Sequence, residues 1–199
     1  MPVLLQLSRL IDTLTEFIGK AVMWFILATT LISAGNAIVR KLFDSSSNAL
    51  LEIQWYLFAA VFMLGSGYAF LRNAHVRIDF ISSRFSARTR NWIDVGGIFV
   101  FVFPLCYLLI SLGMPLFQNA WASGEMSSNA GGLVRWPVYA LIPLGFFLLF
   151  VQSISELIKR FAFLTGNGPD PLAHAGPSDE ELLAQQLLDE EAQRLKGAN

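Results

Sequence analysis

Residues 92–112 read WIDVGGIFVFVFPLCYLLISL. From Val95 to Leu112 no side chain carries a charge. A helix needs about 20 mostly apolar residues to cross roughly 30 Å of hydrocarbon. Inside lipid every backbone N–H and C=O must be paired within the segment or in a closed barrel, so a stretch of this length and polarity predicts a spanning helix. Three further stretches have the same character: residues 21–39, with Asn36 as a late polar residue; residues 50–71, opened by Glu52 and Gln54; and residues 137–158. Pro104 and Pro143 lie inside two of these spans, where a membrane helix tolerates proline with a local kink.

The composition agrees. Hydrophobic residues make up 54% of the 199 and charged residues only 15%, against roughly 25% charged in a soluble domain. The mean hydropathy is +0.53. A net charge of −1 supplies no basic field for nucleic acid. The single cysteine, Cys106, sits in an apolar run, which excludes a disulfide framework and structural zinc. The first apolar run follows about twenty residues that carry Arg9, Asp12, Glu16 and Lys20, unlike the short basic start of a cleaved signal peptide.

Lys and Arg beside the spans set the orientation. Arg9, Lys20, Arg72, Arg77, Arg84, Arg88, Arg90, Lys159 and Arg160 fall on one side; Arg40, Lys41 and Arg135 fall on the other. The first side is expected in the cytoplasm, and both termini with it. The expected fold is an all-α integral membrane protein with four transmembrane helices and amphipathic interfacial helices. Its parts are an N-terminal amphipathic segment (1–20), a four-helix membrane domain (21–160), and a linker with a short acidic cytoplasmic helix (161–199). Leu7, Ile11, Leu14 and Ile18 share one helical face, which suits a helix lying at the membrane interface or, equally, an extension of span one. Past Pro115, the third span is expected to continue as a helix along the outer interface, with Trp121 and Trp136 as anchors and a turn over residues 123–132. The tail is expected to open a short acidic helix on a capping box at residues 178–181.

The chemistry absent from the sequence is informative. His75 and His174 lie outside the apolar cores, so no haem can be held between spans. No phosphate-binding loop, nucleophile elbow or zinc-protease pattern occurs. No span carries a charge at mid-depth, the usual mark of an ion or substrate path. Catalytic, cofactor and metal residues are therefore not expected. Glu52, Asp94 and Glu156 are read near span ends, within reach of water. Glu52 and Gln54 either serve the N-terminal dipole of span two or contact a partner subunit or Arg135. Asp94 has the same dipole reading. Glu156, Lys159 and Arg160 form a local ion pair worth little. Arg77 and Asp79 are expected to pair and fix the exit of span two, with His75 as a hydrogen-bonded corner residue. Arg84, Arg88 and Arg90 are candidates for lipid headgroups.

Several runs together resemble a known family: residues 51–58 (LEIQWYLF) with Gly65, Gly67 and Tyr68; His75-Val76-Arg77-Ile78-Asp79; Trp92-Ile93-Asp94 and Pro104; Trp136-Pro137; Ile142-Pro143-Leu144-Gly145-Phe146; and Gln152 through Glu156. The family is the DctQ-type small permease subunit of tripartite ATP-independent periplasmic (TRAP) transporters, and the likeness runs from about residue 17 to 160. It implies a multi-pass protein of the bacterial inner (cytoplasmic) membrane whose partners are a large permease subunit and a periplasmic substrate-binding protein. It implies sodium-driven uptake of an organic acid, with the small subunit as scaffold and Glu52, Gln54, His75, Arg77, Asp79, Asp94 and Trp136 as partner-facing or structural residues. Residues 127–132 resemble a branch that handles monocarboxylates or 2-oxo acids. The alternatives from other classes are a stand-alone small transporter, which would need a charge at mid-span, and a membrane anchor of an enzyme complex, which would need His pairs or a CxxC.

Overall fold

The computed structural model describes residues 2–44, 47–73, 85–172 and 188. Among these, four helices are long and apolar enough to cross a membrane: α1 (Pro2–Phe43), α2 (Asn48–Leu71), α3 (Ala87–Ser123) and α4 (Trp136–Leu164). The expectation of an all-helical, four-span fold is met. At 1.5 Å per residue the 24 residues of α2 reach about 36 Å and the 42 residues of α1 about 63 Å. Each helix therefore extends beyond the hydrocarbon.

α4 is the central helix. Of its most apolar stretch 39% is buried, against 11% for α1 and for α2, and it packs on each of the other three helices. Glycines allow its closest approaches to α2 and α3. A Cβ on Gly145 would lie 2.6 Å from the carbonyl oxygen of Met63 in α2, and one on Gly113 of α3 would lie 2.9 Å from Cγ2 of Ile142 in α4. Small residues at such crossings let helices meet in lipid, where the hydrophobic effect does not drive them together.

α1 runs unbroken through residue 20, so the expected segment boundary there coincides with no break in the helix. Its packed face carries Ser8, Ile11, Thr15 and Val22, while Leu7 and Leu14 are each 48% exposed. The face chosen for packing is the one with small and hydrogen-bonding side chains, and the leucines are left for an apolar surrounding. The same inversion holds throughout. The largest fully buried side chains are Arg160, Gln152, Glu156, Asn91 and Cys106, whereas Phe101, Tyr107, Trp24 and Phe17 are among the exposed.

α3 contains one π-helical turn, Ile98–Val102, in which the N–H of Phe103 donates to the carbonyl of Ile98, five residues back. Pro104 follows directly. Proline has no N–H for the carbonyl four residues earlier, and its ring crowds that carbonyl; a widened turn is one of the ways a helix absorbs this. Beyond it the helix continues past Pro115 to Ser123, as expected. Residues 124–135 then form a small hairpin closed by the Met126–Val134 bridge, with Ser127 N–H on Leu133 O at 2.9 Å and Arg135 N–H on Glu125 O at 2.9 Å. The proximal end of the bundle, where α1 starts and α4 stops, is one pole; the hairpin marks the distal pole.

Candidate functional site: two polar clasps

The distal clasp is built on Glu52, in the first two turns of α2. Glu52 is 4% exposed. It accepts from the Ser127 hydroxyl, from Asn129 Nδ2 at 2.8 Å and from the Leu133 N–H at 2.7 Å. Asn48 Nδ2 donates to Ala130 O at 2.9 Å, and the Tyr56 hydroxyl donates to Val134 O at 2.9 Å. The hairpin is thus tied to α2 by one buried acid and two flanking bonds. Water access to Glu52, expected from its place at a span end, is not found, because the hairpin folds over it and its donors replace water. Arg135, the other suggested partner of Glu52, forms its ion pair with Glu125 at 3.1 Å. Gln54 donates to Leu50 O at 3.0 Å and accepts from the Ser33 hydroxyl of α1 at 2.5 Å. Trp136 stacks edge-on with Trp121, centroids 4.6 Å apart, beside Phe117.

The proximal clasp is larger. Gln152, Glu156 and Arg160 recur every fourth residue of α4, a spacing that stacks them on one face. Ser155 and Lys159 form an adjoining row. Asp12 of α1 accepts on Oδ1 from Gln152 (2.9 Å) and Ser155 (2.7 Å), and on Oδ2 from Lys159 (3.1 Å). The Thr15 hydroxyl donates to Gln152 Oε1 at 2.7 Å, and Ser8 and Ser155 share a hydroxyl contact of 2.7 Å. Glu156 pairs with both Lys159 and Arg160. Arg160 reaches across to Asp94 of α3, Nη2 to Oδ2 at 3.0 Å. Glu156 and Arg160 are each 1% exposed. The ion pair expected at the water boundary is therefore a buried network joining α1, α3 and α4, and Asp94 serves it from the third turn of α3 rather than opening a helix.

Arg88 and Arg90, expected at lipid headgroups, find acceptors within the chain. Arg88 Nη2 donates to Leu164 O at 3.1 Å, at the end of α4, and Arg90 lies 4.0 Å from Asp170. Asp170 also accepts from Asn91 at 2.8 Å and from the Leu172 N–H at 3.0 Å. This pins the segment after α4 against α3. His75, Arg77, Asp79, Arg84 and the acidic tail helix lie outside the described residues.

The sequence reading did not single out Ser8, Asp12, Thr15, Gln152 or Arg160 as a unit. A signal was present in the four-residue recurrence of polar side chains on an otherwise apolar helix. Their partners lie some 140 positions away, and no periodicity reports that. Chemically, both clasps are saturated: every acid in them already accepts from donors of the chain, so they hold helices and a loop together rather than offer a reacting group.

The length of α4 sets the distance between the two poles. Trp136 to Glu156 is twenty residues, about 30 Å of helix, which is one hydrocarbon thickness. The family model described as "Tripartite ATP-independent periplasmic transporters, DctQ component" matches residues 29–163. No curated protein matches the chain.

Proposed function

The chain belongs to the DctQ component family of the tripartite ATP-independent periplasmic transporters, and from that premise we propose that it is the fixed membrane scaffold of the large permease subunit in a sodium-driven system for organic acid uptake. It is a multi-pass membrane protein and a transporter component, not an enzyme. One observation supports the scaffold role: between the two clasps no span carries an Asp, Glu, Lys, Arg or His at mid-depth, and every acid of the clasps is held by donors of the chain itself. A path for an ion or a carboxylate needs charged or polar groups at mid-depth that can change partners. A platform needs the reverse, helices locked at both ends with an apolar surface between.

In this reading the large subunit carries the sodium and substrate sites, and a binding protein outside the inner membrane captures the acid and determines which one. The monocarboxylate or 2-oxo acid lean attached to residues 127–132 gains no support from geometry, since Ser127 and Asn129 are spent on Glu52. The test is sodium-dependent uptake into proteoliposomes. Uptake is expected with this chain, the large subunit and the binding protein together. Uptake by this chain alone would overturn the scaffold reading.

A further inference from the structure

At the proximal end, α1, the end of α4 and residues 167–171 enclose a cavity of about 310 Å³. That is at the small end of ligand cavities, roughly 300–1,000 Å³. Leu5, Arg9 and Asp12 line it from α1, Lys159 from α4, and Pro169 and Pro171 from the segment that follows. We propose that this cavity binds the phosphate of an anionic phospholipid headgroup, with Arg9 and Lys159 as its cationic partners.

Three observations carry the assignment. The first is depth. Lys159 lies three residues past Glu156, about 5 Å, and Glu156 stands one hydrocarbon thickness from Trp136. The interfacial layer beyond the hydrocarbon is roughly 5–7 Å deep on each side, so the cavity sits at headgroup level. The second is charge. Both oxygens of Asp12 are occupied by Gln152, Ser155 and Lys159, so the acid is matched by Lys159. Arg9 forms no ion pair among the described residues and is the one cation lining the cavity that is not already bonded to an acid. An ammonium has three donors; Asp12 and Glu156 take two from Lys159, and the third remains for a ligand oxygen. The third is the wall: Leu5, Ala162, Pro169 and Pro171 offer an apolar surface beside the charges, as the glycerol and first acyl carbons of a lipid require. A free phosphate ester would use the charges and ignore the wall.

The proposal is independent of the scaffold reading and is tested on the full chain alone. Purified in detergent, it is titrated with phosphatidylglycerol, phosphatidylcholine and diacylglycerol, and adducts are counted by native mass spectrometry. The expectation is one tightly held phosphatidylglycerol, preferred over the other two. Arg9→Glu should lower its occupancy by about tenfold, in keeping with the attraction of one basic residue to an anionic lipid, while Arg9→Lys should retain it. Arg9 is exposed, so both variants should keep the wild-type thermal midpoint. Lys20→Glu, on the same helix but outside the cavity, should leave the adduct unchanged. Equal loss in Arg9→Glu and Lys20→Glu would reduce the effect to general surface charge and overturn the site. Equal binding of all three lipids would overturn the phosphate chemistry. Displacement of the lipid by millimolar inorganic phosphate or glycerol phosphate would overturn the lipid as the source.

Discussion

Glu52 and Glu156 are both buried acids, yet they are held differently. Glu52 accepts from neutral donors of the hairpin, so Glu52→Ala strands a backbone N–H and two side chains. Hydrogen exchange at Leu133 is expected to rise roughly tenfold, the equivalent of one lost hydrogen bond to a charged group, with little change in the helices. An unaltered Leu133 would mean that the bridge and the bonds of Asn48 and Tyr56 hold the hairpin without it. Glu156 instead faces Lys159 and Arg160. Removing one partner of a buried pair leaves an uncompensated charge and costs about 3–5 kcal/mol, whereas replacing both is far milder. Glu156→Leu should therefore lower the thermal midpoint in detergent more than the double variant Glu156→Leu/Arg160→Met. The reverse order would show that Asp94 alone satisfies Arg160.

At the scale of elements, the helix crossings separate rigid from yielding contacts. At Gly145 an added methyl meets backbone, the Met63 carbonyl oxygen at 2.6 Å; at Gly113 it meets side chains, Cγ2 of Ile142 at 2.9 Å and the Pro143 ring at 3.2 Å. Overpacking against backbone costs about 1–3 kcal/mol, while Gly→Ala inside a helix returns up to about 1 kcal/mol of propensity. Gly145→Ala should be the more destabilising of the two and Gly113→Ala the milder, as read by thermal unfolding of the purified protein. Equal effects would place the tight crossing elsewhere. The π turn has a comparable local cause: Pro104→Ala restores the missing donor and should let α3 revert to regular α-helix through residues 98–104. Helix hydrogen bonds that still skip five residues in a structure of that variant would assign the turn to packing.

For the whole molecule, four crossings return α4 beside the start of α1, as the Ser8–Ser155 contact shows. The excess of Lys and Arg predicts that this end faces the cytoplasm. Cys106 is 0% exposed, so it should resist maleimide in the native protein, and Cys106→Ser supplies a clean background for labelling. In that background a membrane-impermeant maleimide applied to the non-cytoplasmic side of the membrane should label Ser128→Cys in the hairpin and spare Asn167→Cys at the proximal end. Labelling in the opposite pattern would invert the orientation and, with it, the surface offered to a binding protein.

The number of spans, their helical nature and the absence of a mid-span charge were legible in the sequence. Each follows from one physical requirement, that a segment in hydrocarbon be apolar and pair its own backbone, and that requirement acts locally. The family motifs were legible too, including Glu52 and the run from Gln152 to Glu156. What joined them was decided by tertiary structure. The same carboxylate is a dipole partner or a loop clasp depending on whether the hairpin folds over it. The ion pair at residues 156–160 is a solvated surface contact or a buried junction of three helices depending on whether Asp12 and Asp94 reach it. Burial converts these groups from weak to strong, and burial is set by residues up to 147 positions apart, a distance over which a sequence pattern carries no signal.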